Sequence, residues 1–99
     1  MPAIFNDEIH APVRLRICGL LCRGEPLEFS VVRDTLGLTD SVISKHVSRL
    51  EKIGYVRTEK TLDSRYPRTR ISFTDQGREA FVNHIAALES ITCNATVIP

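Results

Sequence analysis

Residues 30–56 read SVVRDTLGLTDSVISKHVSRLEKIGYV, and this stretch decides the fold. Its second half is an amphipathic helix. Thr39 reads as an N-cap whose hydroxyl takes a free backbone N–H, and Asp40 behind it suits the positive end of the helix dipole. Ile43, Val47, Leu50 and Ile53 recur at helical spacing and predict one buried stripe, ended at Gly54. Upstream, Ser30 reads as the N-cap of a short helix, Val31 to Leu36, that faces the core through Val32 and Leu36. Only Gly37 and Leu38 separate the two, and glycine accepts the positive φ that a tight turn at a helix end requires. Two short helices around such a turn form a helix-turn-helix unit.

The flanks extend the pattern. Pro12 follows His10-Ala11 at a first helical position, where its missing N–H costs nothing. Val13, Ile17, Leu20 and Leu21 then form one stripe, Leu15, Cys18 and Cys22 a second, and Gly24 stops the helix. Leu27 to Phe29 is a very short strand candidate. After Gly54 the period changes to two: Tyr55 to Thr61 and Arg68 to Phe73 read as strands, joined by the turn-rich Asp63-Ser64-Arg65-Tyr66-Pro67. A last helix starts behind Thr74 as N-cap and runs to about Ile91, and the uncharged Thr92 to Pro99 reads as a loose tail. This order predicts an α+β fold, mostly α: a winged helix-turn-helix with a two-stranded β-hairpin wing and a C-terminal dimerisation helix. It predicts one domain over residues 1–99, with its core at about 9–91.

Composition sets the class. With 42% apolar and 25% charged residues the chain is an ordinary globular one. The longest apolar run, Ile17 to Cys22, falls far short of the ~20 residues of a membrane helix. Met1-Pro2-Ala3 does not open a signal peptide. Three cysteines make a poor disulfide framework and fit a reducing cytoplasm, so the sequon Asn94-Ala95-Thr96 reads as a chance match. Net charge is only +1, but residues 39–70 alone carry +4, between flanks of −1 and −2. Positive charge confined to the middle third is the footprint of a local phosphate-binding face, though on charge alone a solvated basic surface is the preferred reading.

The segments "IHAPVRLRICGLL", "LGLTDSVISKHVSRLEKIGYV" and "RYPRTRISFTDQGREAF" together resemble winged-helix regulators of the multiple-antibiotic-resistance-regulator (MarR) and arsenic-repressor (ArsR) types, most closely their short relatives of about a hundred residues. The resemblance covers residues 9 to about 90. It implies that the second helix of the motif enters the major groove, that the wing touches the DNA backbone or minor groove, and that the terminal helices dimerise. It therefore implies a sequence-specific, double-stranded-DNA-binding transcriptional regulator, a repressor acting as a homodimer on a pseudo-palindromic operator. The metal-binding cysteine motif of many arsenic-repressor relatives is not matched. The alternative is a winged-helix module that binds protein and not DNA; a basic recognition face and an arginine-bearing wing count against it.

The residues allot the roles. With Ile43, Val47 and Leu50 inward, the opposite face shows Ser41, Ser44, Lys45, Ser48 and Arg49: small hydroxyls that let a helix sit deep in a groove, and cations that reach bases or phosphates. On the wing, Lys60, Arg65, Arg68 and Arg70 add positive charge, with Glu59 as a competing partner for Arg68. An apolar surplus at Leu15, Cys18, Cys22, Phe81, Ile85, Leu88 and Ile91 predicts a subunit interface. Cys18 and Cys22 read as packing residues against a thiol or metal pair, because two ligands with no acidic or histidine partner make no metal site. His46 reads as a hydrogen-bonded structural histidine, and His10 and His84 show no partner. No catalytic constellation and no cofactor motif stand out, so the expected partners are double-stranded DNA, a second copy of the chain and an unidentified small-molecule effector, in the cytoplasm.

Overall fold

The computed structural model describes residues 4–62 and 65–97, with side chains through Thr92. Its elements run α1 (Asp7–His10), α2 (Pro12–Arg23), β1 (Leu27–Glu28), α3 (Phe29–Leu36), α4 (Asp40–Lys52), β2 (Val56–Thr61), β3 (Arg68–Phe73) and α5 (Asp75–Val97). The helix-turn-helix forms as expected. Thr39 Oγ1 accepts the Val42 N–H at 3.3 Å, and Gly37 takes φ 65° so that Leu38 N–H reaches Arg33 O at 3.2 Å. That bond satisfies a carbonyl the end of α3 leaves open.

Two expectations are corrected, at the start of α3 and the end of α5, and two features extend the reading. The wing hairpin belongs to a three-stranded antiparallel sheet of order β1-β3-β2, because Leu27 pairs with Ile71 and Glu28 with Arg70 on the far edge of β3. The chain turns straight from β1 into α3, so Phe29 is helical and the N-cap position is Glu28, not Ser30. The last helix does not stop at Ile91. Residues 92–97 contain neither glycine nor proline, nothing interrupts the i→i−4 ladder, and the segment read as a loose tail is helical to Val97. Lastly, α1 has no apolar period to announce it. It is a single turn, capped where Asn6 Oδ1 accepts the Ile9 N–H at 2.9 Å and anchored by the fully buried Ile9.

The core joins Ile17, Cys18 and Leu21 of α2, Val32 of α3, Ile43, Val47 and Leu50 of α4, Val56, Ile71 and Phe73 of the sheet, and Phe81 of α5. Burial above all, with Cys22 adding to it, pushes the Cys18 thiol up to about 12 against the pull of Arg14, so it packs as a neutral group. Cys22, one turn on, is exposed.

A tight joint ties the end of α4 to the start of α5. Thr74 N–H donates to Tyr55 O at 3.0 Å, Thr74 Oγ1 donates to Gly54 O at 2.6 Å, and the same oxygen accepts the Gly77 N–H at 3.0 Å. Gly77 is buried against Tyr55, where a Cβ would lie 1.8 Å from the Tyr55 carbonyl oxygen. Only glycine allows so close an approach of helix and turn.

Candidate nucleic-acid interface

Because α4 spends Ile43, Val47 and Leu50 on the core, its other face is set by the 3.6-residue repeat. Ser41, Ser44, Lys45, Ser48 and Arg49 are all exposed there. Lys52 continues the stripe one turn beyond Ser48 and is exposed too. Sequence reading left Lys52 out, although its i+7 spacing from Lys45 places it on that face. Among the described residues no carboxylate comes within ion-pair distance of Lys45 or Lys52.

The helix stands between two recesses. On the wing side, Ser44, Ser48 and Glu51 face Thr58, Lys60 and Thr69 across a space of about 310 Å³. Thr58 Oγ1 donates to Glu51 at 2.8 Å there, which fixes the wing against the helix. On the other side, Lys45, Ser48, Arg49 and Lys52 face Arg14 of α2 and His46 across about 320 Å³. Arg49 is not free: its Nε donates to Glu8 of α1 at 3.0 Å, and its second nitrogen also meets that carboxylate. Paired with Arg49 first and Arg14 after it, Glu8 is held below the usual carboxylate range. Arg14 Nη1 meets His46 Nδ1 at 3.1 Å, so His46 has its hydrogen bond. Partial burial and then the neighbouring Arg14 and Lys45 charges lower the pKa of its imidazole.

On the wing, Lys60, Arg65 and Arg68 are exposed and Arg70 is half-buried. Arg68 does find an acid, but the acid is Glu28, at 3.2 Å, and not Glu59. The extra strand β1 is the reason, since it lays Glu28 opposite Arg70, beside Arg68, while Glu59 lies opposite Arg70 on β2. Exposed Arg57 on β2 is a further wing cation that sequence reading passed over. At the head of α4, Arg33 joins Asp34 at 2.9 Å and Asp40 at 2.8 Å, tying the turn to the helix start.

The residues expected at a subunit interface divide. Cys18 is fully buried in the single chain, so it offers no surface to a partner. Phe81 is 7% exposed and packs on Phe73, and it forms the floor of a shallow apolar groove edged by Cys22, Val82, Ile85 and Ala86. Leu15, Ile85 and Leu88 are half-buried, and Ile91 is 62% exposed on the outer face of α5.

His10 and His84, without visible partners in sequence, meet each other. His84 is fully buried; its Nδ1 accepts the Asn6 N–H at 2.9 Å, which leaves Nε2 as the donor to His10 Nδ1 at 3.2 Å. Chain order hides this contact, because the partners lie 74 and 78 residues apart. Among the described residues no group of three or more His, Cys, Asp or Glu side chains is placed to hold a metal ion, and no helix is long and apolar enough to cross a membrane.

Other proteins share this fold. A transcriptional regulator homologue from Pyrococcus horikoshii superposes with a TM-score of 0.85 at 31% identity, over 89% of this chain and 87% of that one. The uncharacterised protein MJ0432 of Methanocaldococcus jannaschii is 35% identical over 91 residues, 92% of this chain and 95% of that protein. The transcriptional regulator PcaV of Streptomyces coelicolor shares the fold, with a TM-score of 0.70 at 23% identity over 92% of this chain and 65% of that one. Residues 13–92 match the winged helix DNA-binding domain family, a family of regulators and not of enzymes, and to that family the chain belongs.

Proposed function

We propose that the protein is a transcriptional repressor that acts in the cytoplasm as a homodimer on a pseudo-palindromic operator. The observation that carries this reading is the outward stripe of α4, where Ser41, Lys45, Ser48 and Lys52 stand exposed. Short hydroxyls let the helix approach base edges in the major groove, and the lysines reach bases or phosphates at its rim. Lys60, Arg65 and Arg70 of the wing extend the contact to the neighbouring backbone or minor groove. The apolar groove at Cys22, Val82 and Ile85 supports pairing through α5. Two-fold symmetry then sets two recognition helices about one helical turn of DNA apart.

A small-molecule effector belongs to this reading. PcaV was solved in complex with its natural ligand. On this chain a cleft of about 330 Å³, lined by Asn6, Tyr55, Gln76, Glu79 and Asn83, lies beside the joint between α4 and α5. A molecule seated there would bear on the angle between the recognition helix and the dimer helix.

The test is a titration of Lys45→Ala and Arg65→Ala against operator and mixed-sequence duplexes at several salt concentrations, with light scattering to establish the dimer. Loss of Arg65 is expected to weaken binding to every sequence and to lower the salt slope by about one per subunit. Loss of Lys45 is expected to relax sequence preference as well, at about 1–3 kcal/mol per subunit. Unchanged affinity and slope in both, in folded dimers, would hand the basic face to solvent and make the protein-binding reading the better one.

A further inference from the structure

We infer that the recess between α2 and α4 is a subsite for a backbone phosphate of DNA, in which the Glu8 carboxylate stands in for the phosphate until DNA displaces it from Arg49. The inference rests on the DNA-binding reading above and adds to it a site, its occupant and a competitor.

Three observations converge on this recess. Four cations line it, Arg14, Lys45, Arg49 and Lys52, and the carboxylate reaching them is Glu8, paired with Arg49 by two contacts and 3.7 Å from Arg14. One negative group against four positive ones leaves the recess cationic with Glu8 in place, and a backbone phosphodiester offers the same single charge and two free oxygens to the same forks, while its neighbours along the duplex bring further charge to the remaining cations. Second, the recess opens along the exposed stripe of α4, so a duplex whose groove receives Lys45 and Ser48 brings its backbone past Arg49 and Lys52. Third, the exchange requires no unfolding. Ile9 and the Asn6 cap hold the α1 backbone, and Arg14 Nε stays on the Glu8 carbonyl oxygen, so only the Glu8 side chain swings out. Arg14 keeps its place through that carbonyl and through His46, as a fixed cation at the back of the site.

The exchange makes Glu8 a brake on DNA affinity, and it predicts a sign. An exposed ion pair of this kind is worth a factor of about three. Glu8→Gln keeps the shape of the side chain, and the variant is expected to bind a mixed-sequence duplex about threefold tighter per subunit at moderate salt, with the gain shrinking as salt rises. The gain is expected to vanish in an Arg49→Ala background, as a double-mutant cycle reads out. Fluorescence anisotropy on the four dimers measures all of it. An equal gain with and without Arg49 would assign the effect to bulk charge and overturn the proposal. So would an unchanged affinity, or a loss, since Glu8 would then be a passive surface pair or a support that aims Arg49 at DNA. Micromolar binding of inorganic phosphate at constant ionic strength, read by the His46 ring resonances, with no effect of Glu8→Gln on the duplex, would assign the recess to a free anion instead. A wild-type dimer that binds no duplex would overturn the DNA-binding reading itself, and the subsite with it.

Discussion

Replacing Gly77 by alanine sets two physical effects against each other, and the structure says which one wins. Alanine is the better helix former by about 1 kcal/mol in a helix interior. At Gly77 the added Cβ falls 1.8 Å from Tyr55 O, about 1.6 Å short of an ordinary contact at 3.4 Å. The atom it meets is backbone and cannot rotate aside. Opening the gap pulls α5 from the α4–β2 turn and stretches the Thr74 bonds to Tyr55 O and Gly54 O. Two hydrogen bonds at about 1 kcal/mol each, with overpacking strain of about 1–3 kcal/mol, outweigh the propensity gain and leave a net loss of roughly 2–4 kcal/mol. Gly19 is the control, because it sits inside α2 with nothing within 4 Å of its added Cβ. Gly19→Ala is expected to stabilise by about 0.5–1 kcal/mol. Urea unfolding of both variants at one protein concentration compares the midpoints at constant m, which also holds any dimer linkage fixed. A Gly77→Ala protein as stable as Gly19→Ala would refute the close approach of α5 to Tyr55.

Two further outcomes follow from burial. A maleimide probe at pH 8 is expected to leave Cys18 unlabelled in the native protein and to reach it only on unfolding, because this thiol is fully buried with its pKa raised to about 12; peptide mass spectrometry checks the order. His84 is held below the usual imidazole value near 6.5, first by burial and then by His10, with Asp7 opposing. The unfolded chain therefore binds the proton more readily, so this contribution to stability is complete above pH 6.5 and is lost as pH falls through the folded value. Urea midpoints from pH 8 to 5 are expected to decline more steeply for the wild type than for His84→Gln, and parallel curves would sink that assignment.

What sequence made legible, and what it hid, divides along the range of the interactions. The α4 stripe, its Thr39 cap and the Gly37 turn are local, since each depends on residues within one or two turns, and periodicity and capping chemistry reach that far. Period two likewise located β2 and β3. The features that local patterns miss mostly involve partners distant in sequence, the helical run past Ile91 being a local exception. Leu27 and Glu28, a strand candidate in the sequence, find their partner on the free edge of β3 more than 40 residues later, and that edge gives Arg68 to Glu28 instead of Glu59. Cys18 looked like a surface residue because its stripe is separate from that of Ile17 and Leu21, yet α2 lies deep enough for both stripes to be covered. The recess illustrates the same limit more sharply. Lys45, Arg49 and Lys52 are readable as one helical face, but Glu8 lies 41 residues before Arg49, in a single turn with no hydrophobic period, and no spacing rule brings them together. A charge count over residues 39–70 therefore overstates the cations open to DNA, because Arg49 and Arg68 already hold carboxylates contributed by residues 1–38. On the proposal above, the exchange of Glu8 for phosphate at Arg49 weighs more in the response of this face to DNA and to salt than the net charge of +1 does.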